Sequence, residues 1–370
     1  MDKIRILQIV PNMQAGGLES LIMNIYRNID RNKVQFDFLV HYSERKHFDD
    51  EIESLGGKIY RLPLRDNNNI IKYIVQLNRF YKEHSEYKVI HCHMSSIGFI
   101  NFLVAKRNGI KVRIAHSHNS ATDGSVKGKI KRLMMLPYKY VTTKNYACST
   151  EAGKYLYGKK EFEIIPNSID VKKYIFSKEK REEIRKKYNI PNDAIVLGHI
   201  GRFNVQKNHA FLIEVFKNLV DNSNKNYYLL LVGDGELKSK IEELVNQYNI
   251  EDKVIFTGVV SDTWNYYSCM DAFLLPSLFE GLPVVGVEAQ ANGLSVLLAD
   301  NITREVEIND NVYYIKNNIS EWVENVEKMQ IKKFEERFEC NKNVLNTNFN
   351  ISFLAKKLEK EYEELYYEKV

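Results

Sequence analysis

The feature that most constrains the fold is an alternation of short β-branched runs with amphipathic helical segments along almost the whole chain. This alternation is typical of a parallel sheet with helices on both faces. In the first half, it predicts strands at residues 4–10, 34–40, 58–62, 89–93, 112–115 and 145–148. In the second half, it predicts strands at residues 194–200, 228–232, 253–257, 272–275 and 295–298. The sequence therefore predicts two doubly wound α/β domains in tandem.

A domain boundary is predicted near the middle of the chain. The segment IIPNSID, residues 164–170, combines a short strand with Pro and Asn turn chemistry, and a highly charged stretch follows at residues 172–187. We therefore expect a first domain at residues 1–170 and a second at residues 171–351. The closing helix, at about residues 352–370, carries one apolar stripe of Leu354, Leu358, Tyr362 and Leu365.

Composition limits the classes of protein that the chain can represent. Its 370 residues are 44% hydrophobic, which suffices for two cores, and no run of about 18 apolar residues offers a membrane span. With no apolar leader at the start, we expect a cytoplasmic protein. The four Cys lack CxxC spacing, which argues against a disulfide framework and a zinc site. His91 and His93 have no carboxylate or Cys partner at ligand spacing, so no metal site is predicted.

Charge is distributed unevenly between the two halves. Residues 1–170 hold 27 Lys and Arg against 17 Asp and Glu, whereas the rest holds 26 against 31. The basic half favours an anionic partner, and the absence of an aromatic-interleaved basic motif argues against nucleic acid. In residues 124–144, Val126, Ile130, Leu133 and Met134 share one helical face amid Lys127, Lys129, Lys131 and Arg132. That pattern fits a helix on an anionic bilayer, or equally a helix packed on the domain.

The second domain contains the most specific motif, LFEGLPVVGVEAQANG at residues 278–293. It places Glu280 and Glu288 on either side of a Gly-Leu-Pro turn that opens an apolar helical run. The two acids can accept hydrogen bonds from hydroxyls, and the turn can bind an anion through its N–H groups. A nucleotide sugar has both hydroxyl groups and an anionic diphosphate.

Basic residues follow an earlier predicted strand of the same domain. GRFNVQKNH places Arg202 and Lys207 five residues apart at the mouth of a helix, where both can reach one diphosphate. An exposed basic loop is the alternative interpretation. The chain has no GxGxxG after a strand, which disfavours a nicotinamide or flavin cofactor. It also has no D-x-D, so side chains and backbone would have to neutralise a diphosphate in place of a divalent metal.

In the first domain, Gly16-Gly17 forms the first predicted strand-to-helix turn, and AHSHNS follows the strand at residues 112–115. His118 lies beyond the end of that strand, where it can hydrogen-bond a substrate hydroxyl, with His116 packed beside it. A structural role is the alternative for both residues.

Taken in order, GGL, HSHN, IIPNSID, GRFNVQKN, VGDGEL, VIFTG and FEGLPVVGVEAQANG resemble the family 4 glycosyltransferases of the GT-B class. The run DNITREV, residues 300–306, is similar to the bacterial enzymes of exopolysaccharide and capsule assembly. The resemblance implies a GT-B fold, in which two Rossmann-like doubly wound domains face each other across a cleft. It also implies an acceptor mainly on the first domain, to which the closing helix returns.

The resemblance also implies roles for residues at matching positions. Four have catalytic roles: His118 by the reacting sugar, Arg202 and Lys207 on the diphosphate, and Glu280 on the donor-sugar hydroxyls. The donor-binding residues are Gly16, Gly17, Gly233, Phe256, Leu282, Val284, Val285 and Glu288. Within this set, Glu288 binds the ribose, Val284 and Val285 offer N–H groups to the diphosphate, and Gly233 flanks the base.

The implied reaction is a retaining, metal-independent transfer of a hexose or N-acetylhexosamine from a UDP- or GDP-sugar, UDP being favoured. The implied acceptor is lipid-linked or an oligosaccharide, and we expect no cofactor and a peripheral place on the inner face of the membrane. The alternatives are a nucleotide-sugar epimerase or a phosphorylase on the same scaffold, or a catalytically silent sugar-nucleotide sensor. Phosphorylases have far longer chains, and the acidic pair with Arg202 and Lys207 disfavours all three.

Overall fold

The computed structural model describes residues 3–14, 16–64, 69–118 and 133–369. The chain forms two compact units. Unit 1 comprises Met1–Ser168 and Ile351–Val370, and unit 2 comprises Ile169–Asn350. Each unit has a parallel sheet and a hydrophobic core of its own.

Unit 1 contains a seven-stranded parallel sheet in the order β3-β2-β1-β4-β5-β6-β7. Its strands are β1 Ile4–Val10, β2 Val34–Val40, β3 Ile59–Arg61, β4 Val89–Cys92, β5 Val112–Ser117, β6 Lys144–Ala147 and β7 Glu163–Ile164. Its helices are α1 Gly17–Asn28, α2 Asp49–Ser54, α3 Ile70–Glu83, α4 Gly98–Arg107, α5 Tyr138–Val141, α6 Thr150–Tyr157 and the closing helix Ile351–Lys369.

The core of unit 1 lies on both faces of this sheet. On one face, β1 and β2 pack against α1 and the closing helix, whose Leu354, Leu358 and Tyr362 are buried. On the other face, α3 and α4 cover β1 and β4. The central strands β1, β2 and β4 are buried along nearly their whole length and most of their residues are apolar, as a helix-covered parallel sheet requires.

Unit 2 contains a six-stranded parallel sheet in the order β10-β9-β8-β11-β12-β13. Its strands are β8 Ile195–Ile200, β9 Tyr227–Val232, β10 Val254–Gly258, β11 Ala272–Leu275, β12 Ser295–Ala299 and β13 Val312–Ile315. Its α-helices are α7 Lys178–Lys187, α8 His209–Asn222, α9 Lys238–Gln247, α10 Thr263–Cys269, α11 Val284–Ala291, α12 Ile319–Lys328 and α13 Phe334–Leu345. Short 3-10 helices occur at Val171–Tyr174 and Arg304–Val306.

All the predicted strands are present, with ends that differ from the predictions by at most two residues. The prediction omitted β13, which lies at the edge of its sheet and is only partly buried over Val312–Tyr314. Its four residues, VYYI, are all β-branched or aromatic and favour a strand, so the prediction missed a signal that the sequence contains.

Both sheets have a position where the strand order reverses, between β1 and β4 in unit 1 and between β8 and β11 in unit 2. Ligands of open α/β sheets bind beyond the carboxyl ends of the strands at such positions. In unit 1, the turn at Gly16 follows β1 and His93 follows β4. In unit 2, Lys207 follows β8 and Glu280 follows β11. Three predicted site residues, Gly16, Lys207 and Glu280, therefore follow the strands at these reversals.

Candidate functional site

Lys207 and Glu280 form an ion pair at the strand-order reversal of unit 2. Lys207 Nζ lies 2.6 Å from Glu280 Oε1, and the two side chains are 15% and 8% exposed. The carboxylate also accepts a hydrogen bond from Gln206 Nε2 at 3.2 Å. A pair this sheltered from water has stronger electrostatic interactions than a surface pair, so it holds a positive charge in a fixed place beside β8 and β11.

Backbone contacts between the two loops bring this ion pair together. Leu278 N donates to Gln206 O at 2.8 Å, and Gln206 Nε2 donates to Phe279 O at 3.0 Å. Asn208 adopts a left-handed conformation at φ 56°, which Asn tolerates better than most residues, and it donates to Pro276 O. These hydrogen bonds hold the loop after β8 against the loop after β11. Gln206 takes part in two of them, a role that was not predicted.

The start of α11 supplies free backbone N–H groups close in sequence to Glu280. The helix begins at Val284 after Pro283. Its first backbone hydrogen bond is donated by Gly286 N to Pro283 O at 3.0 Å. The N–H groups of Val284 and Val285 have no acceptor within the described residues of the chain. Such groups at a helix N-terminus favour an anion.

Glu288 lies one turn along α11 and is held by two tyrosines. The hydroxyl of Tyr174 donates to Glu288 Oε1 at 2.8 Å, and that of Tyr267 donates to Oε2 at 2.7 Å. Burial raises the pKa of Glu288. The tyrosines fix the carboxylate in one orientation, and each oxygen keeps a further lone pair for a ligand hydroxyl. Neither tyrosine belongs to a motif, so the sequence offered no signal for them.

Arg202 pairs with a different acid from Lys207. Its guanidinium is 72% exposed and lies 3.2 Å from Glu236 Oε2. A solvent-exposed pair of this kind contributes little to stability, so the side chain is free to exchange Glu236 for another anion. The loop after β8 thus contains one sheltered cation, Lys207, and one exposed cation, Arg202.

The other donor-binding residues predicted in unit 2 are Gly233, Phe256 and Leu282. Gly233 has φ 137°, and a Cβ there would lie 2.1 Å from Gly201 O. A Cβ at Gly235 would meet the backbone of Phe203 at 2.5 Å. These glycines therefore allow close packing between loops of the chain itself, a role that the sequence did not predict. Phe256 and Leu282 are partly buried against the core.

In unit 1, a pocket of about 450 Å³ opens at the carboxyl ends of the strands. Its lining includes Gly17, His41, His93, Ser96, His118 and Asn167. Gly16 precedes the first turn of α1 and has an extended conformation, at φ −163°. Its carbonyl accepts a hydrogen bond from Ser20 N. Space is open where a Cβ at Gly17 would stand. The structure therefore brings Gly17 and His118 to one pocket.

His118 belongs to a stack of four imidazoles. Ring centroids lie 4.1 Å apart for His116 and His118, and 4.3 Å apart for His91 and His93. Burial lowers the pKa of His118 to about 3 and holds those of the other three well below the usual value. At neutral pH all four rings are uncharged, so His118 meets a ligand as a neutral hydrogen-bonding group.

Three of these rings, those of His91, His93 and His116, offer nitrogen atoms within 4.8 Å of one another, and histidine is a common metal ligand. Both ring nitrogens of His93, however, take part in hydrogen bonds, to His118 Nε2 and to Gln8 Oε1. A metal ion here would have to replace one of those bonds.

The segment predicted to contact a bilayer falls mostly outside the described residues, since Val126, Ile130 and their basic neighbours precede residue 133. Of its apolar face, Leu133 is exposed. Just beyond it, Leu136 and Tyr140 are exposed as well. Within residues 3–14, 16–64, 69–118 and 133–369, no helix combines the length and apolar character that crossing a membrane requires.

Comparison with known families matches both halves of the chain. Residues 15–173 match the family described as Glycosyltransferase Family 4, and residues 180–346 match Glycosyl transferases group 1. The two matches together extend over most of both units.

Three curated bacterial proteins show the same likeness. EpsF of Bacillus subtilis, named as a glycosyltransferase, is 35% identical over 82% of this chain and 81% of its own. The capsular polysaccharide biosynthesis glycosyltransferase CapH of Staphylococcus aureus is 24% identical over 83% of this chain and 84% of its own. The UDP-Gal:alpha-D-GlcNAc-diphosphoundecaprenol alpha-1,3-galactosyltransferase of Escherichia coli is 24% identical over 85% of this chain and 82% of its own.

A solved structure shares the architecture. Anabaena HepE, crystallised with UDP and glucose, superposes with a TM-score of 0.72 at 15% identity, covering 98% of this chain and all of that one. With the two parallel α/β sheets, this likeness confirms the predicted GT-B fold.

Proposed function

This chain belongs to the family 4 glycosyltransferases, and on that premise we propose that it transfers a hexose or N-acetylhexosamine from a nucleotide sugar, with retention and without a metal. The proposed donor is UDP-linked. The enzyme class follows from the family, and one relative, CapH, is named for capsular polysaccharide biosynthesis. The donor, the acceptor and the stereochemistry are our proposals.

The observation that carries the donor proposal is the sheltered Lys207–Glu280 pair close in sequence to the free N–H groups of Val284 and Val285. When the nucleoside diphosphate departs, negative charge grows on its phosphate oxygens while the sugar gains oxocarbenium character. Fixed positive groups stabilise that transition state more than the ground state. Lys207 and the helix N-terminus supply such groups, and Arg202 adds an exposed cation. Glu280 then accepts hydrogen bonds from hydroxyls of the donor sugar, and Glu288 accepts them from the ribose hydroxyls.

We assign the reacting sugar to the unit 1 pocket that His118 lines. A neutral imidazole can orient a sugar hydroxyl but is a weak acid or base at its lowered pKa of about 3. The departing phosphate therefore takes the proton of the acceptor hydroxyl. His118 orients and polarises the ligand.

UDP as carrier and a lipid-linked acceptor are supported by proteins that this chain resembles. Anabaena HepE was crystallised with UDP, and the Escherichia coli relative is named for a UDP-linked donor and a diphosphoundecaprenol acceptor. We propose the same classes of donor and acceptor here, in the assembly of a bacterial cell-surface polysaccharide.

A lipid-linked acceptor requires contact with a membrane, and unit 1 has an exposed apolar surface with basic neighbours. Ile71 and Val75 of α3 are exposed, as are Lys72 and Lys82 of the same helix. Helix α3 packs on α4 through a hydrogen bond from Asn108 Nδ2 to Asn78 Oδ1. Helix α4 in turn packs on α5 through the rings of Phe102 and Tyr138. The exposed Leu136 and Tyr140 therefore belong to the same layer of helices.

We expect the protein to sediment with vesicles of phosphatidylglycerol and not with vesicles of phosphatidylcholine at low salt, because the first domain is basic. Ile71→Ser with Leu136→Ser should lower the bound fraction several-fold by removing apolar contact. Val259→Ser, at an exposed apolar residue of unit 2, is the matched control. Equal sedimentation with both vesicles would contradict the membrane proposal.

Glu288→Ala tests the donor site. The change removes the proposed acceptor of the ribose hydroxyls, and hydrogen bonds to a charged group contribute about 1.5–3 kcal/mol. We expect UDP to bind on the order of 10- to 100-fold more weakly in titration calorimetry. Glu243→Ala, on the exposed surface of α9, should bind UDP like the wild type. Unchanged affinity in Glu288→Ala would overturn the assignment.

A further inference from the structure

Two buried tyrosines each hold one oxygen of the Glu288 carboxylate. Tyr174 bonds Oε1 at 2.8 Å and Tyr267 bonds Oε2 at 2.7 Å, and Glu288 itself remains partly exposed. The carbonyl of Val285 also lies near the hydroxyl of Tyr267, but it is farther away, at 3.4 Å. The protein therefore engages each carboxylate oxygen once. We call Tyr174, Tyr267 and Glu288 the clamp.

The backbones of both tyrosines are held by one buried arginine and one buried asparagine. Arg337 of α13 donates to Tyr267 O at 3.2 Å and to Asn292 O at 2.9 Å. Asn292 in turn donates from Nδ2 to Tyr174 O at 2.9 Å. The rings of the two tyrosines pack edge-on, with centroids 5.7 Å apart. The clamp thus has its geometry before a ligand binds, which lowers the cost of ordering the carboxylate on binding.

We propose that Tyr174 and Tyr267 are positioning residues that present both oxygens of Glu288 to the two hydroxyls of a ribose, so that the enzyme selects ribonucleotide donors over 2′-deoxyribonucleotide donors. This inference rests on the proposed function, which assigns the ribose to Glu288. A carboxylate oxygen has two lone pairs, and the clamp leaves one on each oxygen. The 2′- and 3′-hydroxyls are adjacent on the sugar and can donate one hydrogen bond to each.

A 2′-deoxyribose cannot satisfy this arrangement. It has only the 3′-hydroxyl to donate, so the other carboxylate oxygen loses its water and gains no donor in return. A charged acceptor left without a partner costs more than one hydrogen bond contributes. A carboxylate that is free to turn would give one oxygen to the single hydroxyl and keep the other in water. The clamp prevents that turn, and the missing hydroxyl therefore becomes a loss of affinity.

A purely structural role for the two tyrosines makes a different prediction. If their hydroxyls only satisfy a carboxylate that packing has buried, removing them weakens the binding of every nucleotide by the same factor. If they position the carboxylate, removing them weakens the ribonucleotide and leaves the deoxyribonucleotide almost unchanged. The ratio of the two affinities therefore distinguishes the two roles, whereas either affinity alone does not.

The test is titration calorimetry of UDP against 2′-deoxy-UDP and of GDP against 2′-deoxy-GDP, so that the result does not depend on which base the enzyme prefers. We expect the wild type to bind the ribonucleotide of at least one pair on the order of 10- to 100-fold more tightly. Tyr174→Phe combined with Tyr267→Phe keeps both rings and removes both hydroxyls. In this double variant, we expect the preference to fall at least about fivefold.

The matched control is Tyr266→Phe. Tyr266 lies on α10 beside Tyr267, and its hydroxyl lies 3.3 Å from Lys187 Nζ, outside the clamp. This variant should keep the wild-type preference, because the carboxylate of Glu288 keeps both of its tyrosine donors.

The outcomes separate this inference from the proposed function. A wild-type preference below about tenfold in a pair that binds, or a smaller fall than expected in the double variant, would overturn the clamp and leave donor binding intact. Binding of none of the four nucleotides would overturn the proposed function and the clamp together. If the double variant does not fold, the two single variants decide, and an unchanged preference in both would overturn the clamp.

Discussion

Lys207→Met is expected to lower kcat for donor turnover about 100-fold, by analogy with the loss of one oxyanion-hole donor. Lys207 is 15% exposed and fixed by Glu280 at 2.6 Å, so its charge needs little rearrangement to meet the departing phosphate. Methionine keeps much of the length and removes the charge. The measurement is release of nucleoside diphosphate from a saturating UDP-sugar, the slow loss of donor to water that transferases show.

The matched control for this variant is Lys217→Met. Lys217 lies on α8, the helix that follows Lys207, and its ammonium pairs with Asp221 at 2.7 Å on the surface. It should keep at least half of the wild-type kcat, because an exposed pair of this kind contributes little to the protein. Equal losses in the two variants, or wild-type turnover in Lys207→Met, would exclude Lys207 from the transition state.

Asp271→Ala should destabilise unit 2 by about 3–5 kcal/mol, because it leaves a buried charge without its partner. Asp271 precedes β11 and accepts from Arg185 Nη2 at 2.8 Å, Arg181 Nη2 at 2.7 Å and Val196 N at 2.8 Å. Arg185 is 2% exposed, and its burial lowers the pKa of the guanidinium. Without Asp271, that cation keeps only backbone carbonyls around it.

Urea unfolding followed by tryptophan fluorescence measures this loss in unit 2 alone. The chain has two tryptophans, Trp264 and Trp322, and both lie in unit 2. Asp221→Ala, which removes the acid of an exposed pair, should change the free energy of unfolding by about 0.5 kcal/mol or less. A similar small change in Asp271→Ala would show that the arginines find other partners.

The fold could be predicted because each central strand is a short apolar run covered on both faces. Strands such as β1 and β11 match the predicted bounds, whereas the partly buried edge strand β13 was not predicted although its sequence, VYYI, favours a strand. Local pattern thus predicts the central strands that the core requires.

The site was predicted only as far as motifs extend. Lys207 and Glu280 each belong to a motif, but their contact depends on how two loops pack after β8 and β11. These strands pair residues that are far apart in the sequence, such as Leu197 and Ala272. Tyr174, Tyr267 and Tyr362 belong to no motif, and their hydroxyls reach Glu288 or His91 only through tertiary structure. Gly233 was expected to flank the base, and no sequence motif indicated the close contact that a Cβ there would make with Gly201 O in another loop.

The central claim is that unit 2 activates a nucleotide-sugar donor with its own cations. The most direct measurement is turnover of a panel of UDP- and GDP-sugars by the wild type in excess EDTA, beside Lys207→Met and Glu288→Ala. We predict nucleoside diphosphate release from at least one donor, unaffected by EDTA and strongly reduced in both variants. Binding and turnover of no donor, release abolished by EDTA, or equal release by all three proteins would contradict the account.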